Sequence, residues 1–143
     1  MNVRNLIQGI TRWTPFVFVA PRRYVGRGSR WRGFDFEAWT DRYEWVEDEW
    51  NGWLDVARRP DDTVAAETGD CEDYALVAAS WALEQGRTPV GLGFCFPGRL
   101  PVPRHVIAYD RDRVYSSGDV REETVDEYID RTEYSWVVRR RLA

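Results

Sequence analysis

The chain has little of the residues that build metal centres and disulfide frameworks. Its 143 residues include a single histidine, His105, and only two cysteines, Cys71 and Cys95. Two cysteines cannot form the several bridges of a small disulfide-stabilised domain. One histidine and two cysteines also give few ligands for zinc, which takes four nitrogen or sulfur ligands, or three plus water. We therefore expect no metal and no other cofactor.

Long hydrophobic runs are missing as well. No uninterrupted apolar stretch approaches the roughly 20 residues that a helix needs to cross a bilayer. Gln8 and Arg12 interrupt the first 13 residues, which lack the compact apolar stretch of a signal peptide. The expectation is a cytoplasmic protein that does not associate with membranes. Its length suits one domain with its own core, predicted as residues 1–143 with a basic arm at 1–34 and a catalytic-type core at 35–143.

Acidic residues are absent before Asp35, and lysine is absent throughout. The whole chain carries a charge of −4 and this first stretch carries +7, so the remainder carries −11. The arm either packs on this acidic body or contacts a macromolecular partner such as nucleic acid, because aromatic residues interleave with its arginines. No base-reading motif accompanies them, and the acidic body would repel phosphate. The seven arginines of the arm are Arg4, Arg12, Arg22, Arg23, Arg27, Arg30 and Arg32.

The pattern of apolar residues predicts an α+β protein, with helices first and antiparallel strands after them. An aromatic stripe at steps of three and four predicts a helix from Phe36 to Ala57, and residues 13–20 are predicted as a strand. Residues 74–83 are apolar almost all round, which is typical of a buried helix, with Asp70 as its N-cap. Strands are predicted at 90–96, 105–109, 114–117 and 134–139, and a short helix at 124–129.

Cys71 at the start of the buried helix and His105 at the start of a strand are the minimal parts of a cysteine nucleophile and its base. A thiol becomes a strong nucleophile only as a thiolate, which the free N–H groups and dipole of a helix N-terminus stabilise. An imidazole can exchange protons with the thiol and the leaving group. Taken singly, a cysteine at a helix start is usually a small core residue and a lone histidine is usually structural. Cys95, in an apolar strand, is predicted to be an inert core thiol.

These residues resemble a known family. Residues 69–75 read Gly-Asp-Cys-Glu-Asp-Tyr-Ala, and they precede an apolar helix, an apolar strand and the run His-Val-Ile at 105–107. This pattern is similar to the transglutaminase-like cysteine peptidase superfamily, in its bacterial and archaeal branch. The resemblance covers roughly residues 60–117. It implies a papain-like core, with the cysteine helix packed on an antiparallel sheet that carries the histidine. It also implies acyl transfer at peptide or amide bonds, with Cys71 as nucleophile and His105 as base.

The third catalytic residue is where the chain departs from the family, which places an aspartate on the strand beside the histidine strand. Here serines, Ser116 and Ser117, stand at that point, and Asp119 follows two residues later. A two-residue turn at 111–112 pairs His105 with Gly118, whereas a three-residue loop pairs it with Asp119. Asp119 is predicted as the third member, with Ser116 or Ser117 as the alternative.

Two classes of function follow from these residues. One is a cysteine-dependent hydrolase or acyl transferase, such as a thiol protease or amidase, that acts on a peptide or protein substrate through a thioacyl intermediate on Cys71. Hydrolysis and cross-linking begin with the same intermediate, so the sequence does not separate them. The other is a catalytically weak or inactive module that binds a protein or nucleic-acid partner through the same cleft or the basic arm.

Overall fold

The computed structural model describes residues 14–46, 57–99 and 101–143. It is a mixed α+β structure in which helices pack on an antiparallel sheet. The helices are α1 (Thr14–Val19), α2 (Ser29–Arg32), α3 (Phe36–Arg42), α4 (Pro60–Ala66), α5 (Cys71–Glu84) and α6 (Val125–Arg131). The strands are β1 (Glu44–Trp45), β2 (Thr68–Gly69), β3 (Gly91–Phe96), β4 (His105–Tyr109), β5 (Val114–Ser116), β6 (Asp119–Arg121) and β7 (Trp136–Arg141).

The main sheet has five strands in the order β6-β5-β4-β3-β7, with every neighbouring pair antiparallel. The β4–β5 hairpin pairs Tyr109 with Val114 and closes through a two-residue turn at 111–112. A second two-residue turn, Ser117-Gly118, joins β5 to β6, and both of its residues have positive φ. This is the backbone that tight hairpins favour, and glycine adopts it without steric cost. The two turns fix which residues of β5 pair with β4 and which with β6.

Helix α5 is buried on most sides, as its composition predicts. Ten of its 14 residues are buried. Asp70 caps its start: Oδ1 accepts a hydrogen bond from the Asp73 N–H at 3.0 Å, and the Asp73 carboxylate accepts one from the Asp70 N–H at 3.2 Å. Such a reciprocal capping box satisfies two of the backbone donors that a helix start leaves unpaired. The cap fixes Cys71 as the first residue of the helix.

Two apolar clusters lie on opposite faces of the main sheet. Alternation along the strands sends one set of side chains towards α5, in a cluster that includes Leu92, Phe94, Val106, Ala108 and Tyr115. The other set packs with α6, in a cluster formed by Cys95, Ile107, Val114, Val125 and Tyr128. Burial on both faces explains why β3 reads as a continuous apolar run.

The predicted strand at 13–20 is wrong where the structure describes it, because Thr14–Val19 is a helix. Its apolar residues form a continuous run, which by itself does not distinguish a strand from a short helix. Val17 is buried and Phe18 packs against Phe94 with ring centroids 5.0 Å apart, whereas Phe16 is 46% exposed. The described part of the arm therefore packs on the core, with Val17, Val25 and Trp31 buried in the cluster that contains α5.

The predicted helix from Phe36 to Ala57 ends early, at Arg42. Tyr43 is extended, and Glu44–Trp45 forms a short parallel pairing with Thr68–Gly69. Here backbone pairing to a distant segment outweighs the helical spacing of the aromatic residues. Phe36, Trp39, Tyr43 and Ala57 are buried as the stripe predicts. Residues 47–56, which include two further tryptophans of the stripe, lie outside the described residues.

None of the helices in the described ranges combines the length and apolar character that crossing a membrane requires.

Candidate active site

Cys71 lies at the N-terminus of α5 and is partly exposed. Neither it nor Cys95 is in a disulfide. Tyr43 fixes the backbone immediately before it, since its hydroxyl donates a 2.8 Å hydrogen bond to the Asp70 carbonyl oxygen. The thiol therefore sits on a rigid, capped helix start.

His105 is the first residue of β4, and its ring is held on one edge by β5. Nε2 lies 2.7 Å from the Ser116 hydroxyl, which is itself 3.3 Å from the Tyr128 hydroxyl on α6. With Nε2 engaged, Nδ1 is the ring nitrogen left for proton exchange with a reactant. Burial lowers the pKa of His105 to about 4, although the nearby Asp70 charge acts in the opposite direction. The imidazole is therefore neutral at pH 7.

Tyr134 covers one face of the imidazole. The two rings are parallel within 6°, with centroids 5.8 Å apart, and Tyr128 stacks on Tyr134 in turn at 6.4 Å. Tyr134 therefore restricts rotation of the His105 ring from that side. No sequence signal marks Tyr134 for this role, because it precedes β7 in a segment without a motif.

Three contacts bring Cys71 and His105 to the same end of the helix–sheet layer. At the far end, Arg87 beyond α5 is joined to Asp110 beyond β4 by a 2.6 Å ion pair. Helix α5 spans roughly 20 Å and β4 roughly 17 Å, so two elements joined at one end and packed side by side also end near each other. At the near end, the Tyr74 hydroxyl bonds to Thr40 at 2.7 Å, and Thr40 bonds to the Gly118 carbonyl oxygen at 3.3 Å.

The sheet face of His105 differs from the one on which α5 packs. His105 alternates with Val106, so it points to the side of Ile107 and of its cross-strand partner Cys95. Cys71 packs in the cluster of the opposite side. Burial raises the pKa of Tyr134 beside the imidazole. Cys71 and His105 therefore belong to opposite faces of the sheet.

Asp119, the predicted third member, bonds to an arginine of its own strand. Its carboxylate pairs with Arg121 at 2.7 Å and is 55% exposed. The structure describes no hydrogen bond between it and His105. The two-residue turn at 111–112 and the reversal at Ser117-Gly118 end β5 at Ser116 and carry Asp119 onto β6. Ser116, the sequence-based alternative, is the residue that contacts the ring, whereas the Ser117 hydroxyl is buried without a hydrogen-bond partner in the described structure.

Asp70 is the carboxylate whose charge acts on His105. Only 6% of the residue is exposed, and its Oδ2 atom has no hydrogen-bond partner among the residues described. Its other oxygen caps α5. A buried carboxylate oxygen without a partner is costly, and such groups mark functional sites more often than ordinary cores. From the sequence, Asp70 is predicted only as the N-cap of the helix.

Cys95 is fully buried in β3, and burial raises the pKa of its thiol to about 12. The thiol is therefore protonated and shielded at neutral pH. Nowhere in the described ranges do three or more His, Cys, Asp or Glu side chains lie together as metal ligands would.

Comparison with known proteins gives no match: no family model, no curated protein and no solved structure is significantly similar to this chain. The resemblance to transglutaminase-like cysteine peptidases therefore rests on the residues around Cys71 and His105 alone.

Proposed function

We propose that the protein is a cysteine-dependent hydrolase or acyl transferase of the transglutaminase-like, papain-like type, acting on peptide or amide bonds. The observation that carries the proposal is that Cys71 begins a capped helix at the same end of the layer as the partly buried, hydrogen-bonded His105. A structural cysteine and a structural histidine need neither this common location nor a partly exposed thiol.

The neutral imidazole determines how the first step runs. In the proposed step, Nδ1 of His105 takes the Cys71 proton as the sulfur attacks the carbonyl carbon. Ser116 keeps Nε2 engaged and so fixes the ring orientation while the proton moves. The positive end of the α5 dipole stabilises the sulfur and the developing oxyanion.

The second half of the reaction returns the proton. The amine leaves as it takes the proton from the imidazolium, and the acyl group remains on Cys71 as a thioester. Water then gives hydrolysis, or a second amine gives transfer, with Nδ1 of His105 accepting the proton of the incoming nucleophile. Asp70 supplies the negative charge that favours the transient imidazolium, in the absence of a carboxylate bonded to Nε2.

A catalytically weak module is the second candidate, and the Ser116 contact favours it. A hydroxyl orients an imidazole but stabilises its charged form much less than a carboxylate does. Burial opposes that charged form as well. On this alternative the cleft would bind a protein or nucleic-acid partner without turning over a substrate.

Acylation by an activated ester separates the two candidates. The enzyme proposal predicts an acyl adduct on Cys71, found by mass spectrometry of the intact protein and its peptides, and continuing release of product beyond one equivalent. His105→Asn should slow acylation by about 10²-fold or more, while Cys95→Ala, as the matched thiol control, should leave it unchanged. Equal acylation of the His105 variant would contradict the proposal. Release of one equivalent of product without further turnover would favour the catalytically weak module.

A further inference from the structure

The short strand β1 is an exposed edge of its two-stranded sheet. Among the described strands it pairs with β2 alone, in parallel. The Glu44 and Val46 N–H groups donate to the carbonyl oxygens of Glu67 and Gly69, each at 2.9 Å. Backbone groups of successive residues in a strand point to opposite edges, so the N–H and C=O of Trp45 point away from β2. They form an open edge on which another extended chain can pair.

Two apolar side chains are exposed along this edge. Trp45 is 53% exposed and Val46 is 50% exposed. Gly69, the partner of Trp45 in the ladder, has no side chain that could cover the indole. A Cβ atom at position 69 would lie 2.8 Å from the Asp73 Cβ atom, so the close approach of the capping box requires glycine there. Natural proteins usually protect a strand edge with charges, proline or a covering segment, whereas this edge presents apolar side chains that suit an apolar partner.

This edge lies close to Cys71. Paired strands are about 4.8 Å apart and the two residues of chain from position 69 to 71 span at most about 7 Å, so the Cα atoms of Trp45 and Cys71 lie within about 12 Å. The β5–β6 turn adjoins the same edge, because a Cβ atom on Gly118 would lie 3.9 Å from the Tyr43 carbonyl oxygen. That turn follows Ser116, the residue that bonds to the imidazole. A chain paired with Trp45 therefore lies beside the candidate active site.

We propose that β1 binds an extended peptide substrate by strand addition, with an apolar side chain of the peptide against Trp45. This rests on the proposed function, because closeness to Cys71 is what identifies the occupant as a substrate. One residue of an antiparallel peptide can exchange two backbone hydrogen bonds with Trp45. An extended peptide advances about 3.4 Å per residue, so the residue that pairs lies within about five residues of the bond attacked. The substrate is accordingly an extended segment of polypeptide and not a small amide.

The test compares a peptide with a small reagent at the same thiol. The probes are activated esters of capped alanine pentapeptides, each with leucine at one position, and p-nitrophenyl acetate, which is too small to reach β1. We expect Trp45→Ala to lower kcat/KM for the best leucine peptide, relative to that for p-nitrophenyl acetate, about tenfold or more and mainly through KM. The control is Val19→Ala, which removes an exposed apolar side chain of α1 outside this edge and should leave the ratio unchanged.

N-methylation of the peptide tests the backbone hydrogen bonds. A methyl group on the residue that pairs with Trp45 should weaken acylation about tenfold, and one on either neighbour should have little effect, because their N–H groups point to the other side. Trp45→Phe, which keeps an aromatic side chain, should restore most of the rate. Circular dichroism verifies the folding of each variant.

Failure of strand addition and failure of the proposed function give different results. Binding is also measured without chemistry, by anisotropy of the labelled peptide amides with the Cys71→Ser protein. If neither ester acylates Cys71 but binding still depends on Trp45, the edge binds peptide and the enzyme proposal fails. Equal kinetics and binding for Trp45→Ala and wild type, or no binding of any leucine peptide, would overturn strand addition. A dimer in sedimentation that Trp45→Ala abolishes would make a second copy of the chain the occupant and would overturn substrate docking.

Discussion

The Nε2 atom of His105 lies 2.7 Å from the hydroxyl of Ser116. The hydroxyl holds the ring in place, and the Tyr134 ring covers its face at 5.8 Å. Orientation of the imidazole therefore comes from a neutral group and an aromatic stack. The negative charge of Asp70, which precedes α5, favours the protonated form of the imidazole and so acts to raise the pKa of His105.

Ser116 and Asp119 should respond differently to substitution. Ser116→Ala removes the partner of Nε2, so we expect Cys71 acylation to fall about tenfold as ring orientation is lost. Asp119→Asn removes a charge that is paired with Arg121 on the surface and should change the rate less than twofold. Rates of acylation by an activated ester give the comparison. A larger loss for the Asp119 variant would identify the aspartate as the third member.

The two thiols should differ sharply in reactivity. Cys71 is partly exposed at a helix start, whereas Cys95 is fully buried with its pKa raised to about 12. We expect iodoacetamide at neutral pH to modify Cys71 alone in the folded protein and both thiols in urea, as measured by peptide mass spectrometry. Cys95→Ala provides the control for assignment. Modification of both thiols at similar rates in the folded state would show that β3 opens readily.

Much of the helix–sheet layer follows from the sequence, because each of its signals is local. The cap at Asp70 and the apolar residues after it define α5, and the predicted bounds of β4 agree with the structure. What the sequence does not contain is the packing between distant segments. Pairing of Trp45 with Gly69 ends the aromatic helix early, and the turn at Ser117-Gly118 places Asp119 on β6 opposite Ser116. Stacking of Tyr134 on His105 likewise depends on how the last strand approaches the sheet.

Asp70→Asn should lower the pKa of His105 further. Asparagine still caps the helix, so the fold is retained, but the negative charge that favours the imidazolium is lost. NMR titration can follow this directly, because His105 is the only histidine and its ring signals need no assignment. Asp61→Asn, at an exposed residue of α4, is the matched control and should leave the titration unchanged. An unchanged or raised His105 pKa in the Asp70 variant would contradict its electrostatic role.

Asp110 should be the carboxylate that matters most for stability in this region. Its buried side chain accepts hydrogen bonds from Arg87 and from the backbone N–H groups of Asp112 and Arg113. Although burial alone would raise its pKa, hydrogen bonds from Tyr115 and Arg87 hold the pKa of Asp110 below its usual value. We expect Asp110→Asn to reduce the free energy of unfolding by about 3 kcal/mol. Asp112→Asn, at a half-exposed partner of the same arginine, should cost less than about 1 kcal/mol in the same urea titration.

His105 should also make stability depend on pH in the acid range. Its pKa is lowered to about 4 in the folded protein, against an ordinary value near 6.5, so between these values the unfolded chain binds a proton that the folded protein does not. Stability from this residue is therefore complete above about pH 6.5 and is lost as pH falls towards 4. A shift of this size corresponds to at most about 3 kcal/mol. His105→Gln removes this contribution. We expect the unfolding free energy of the wild type, measured by urea titration, to fall relative to that of the variant as the pH is lowered from 7 to 4. Because carboxylates such as Asp73 titrate alike in both proteins, the difference isolates His105; a difference independent of pH would show that the imidazole is solvated and charges freely.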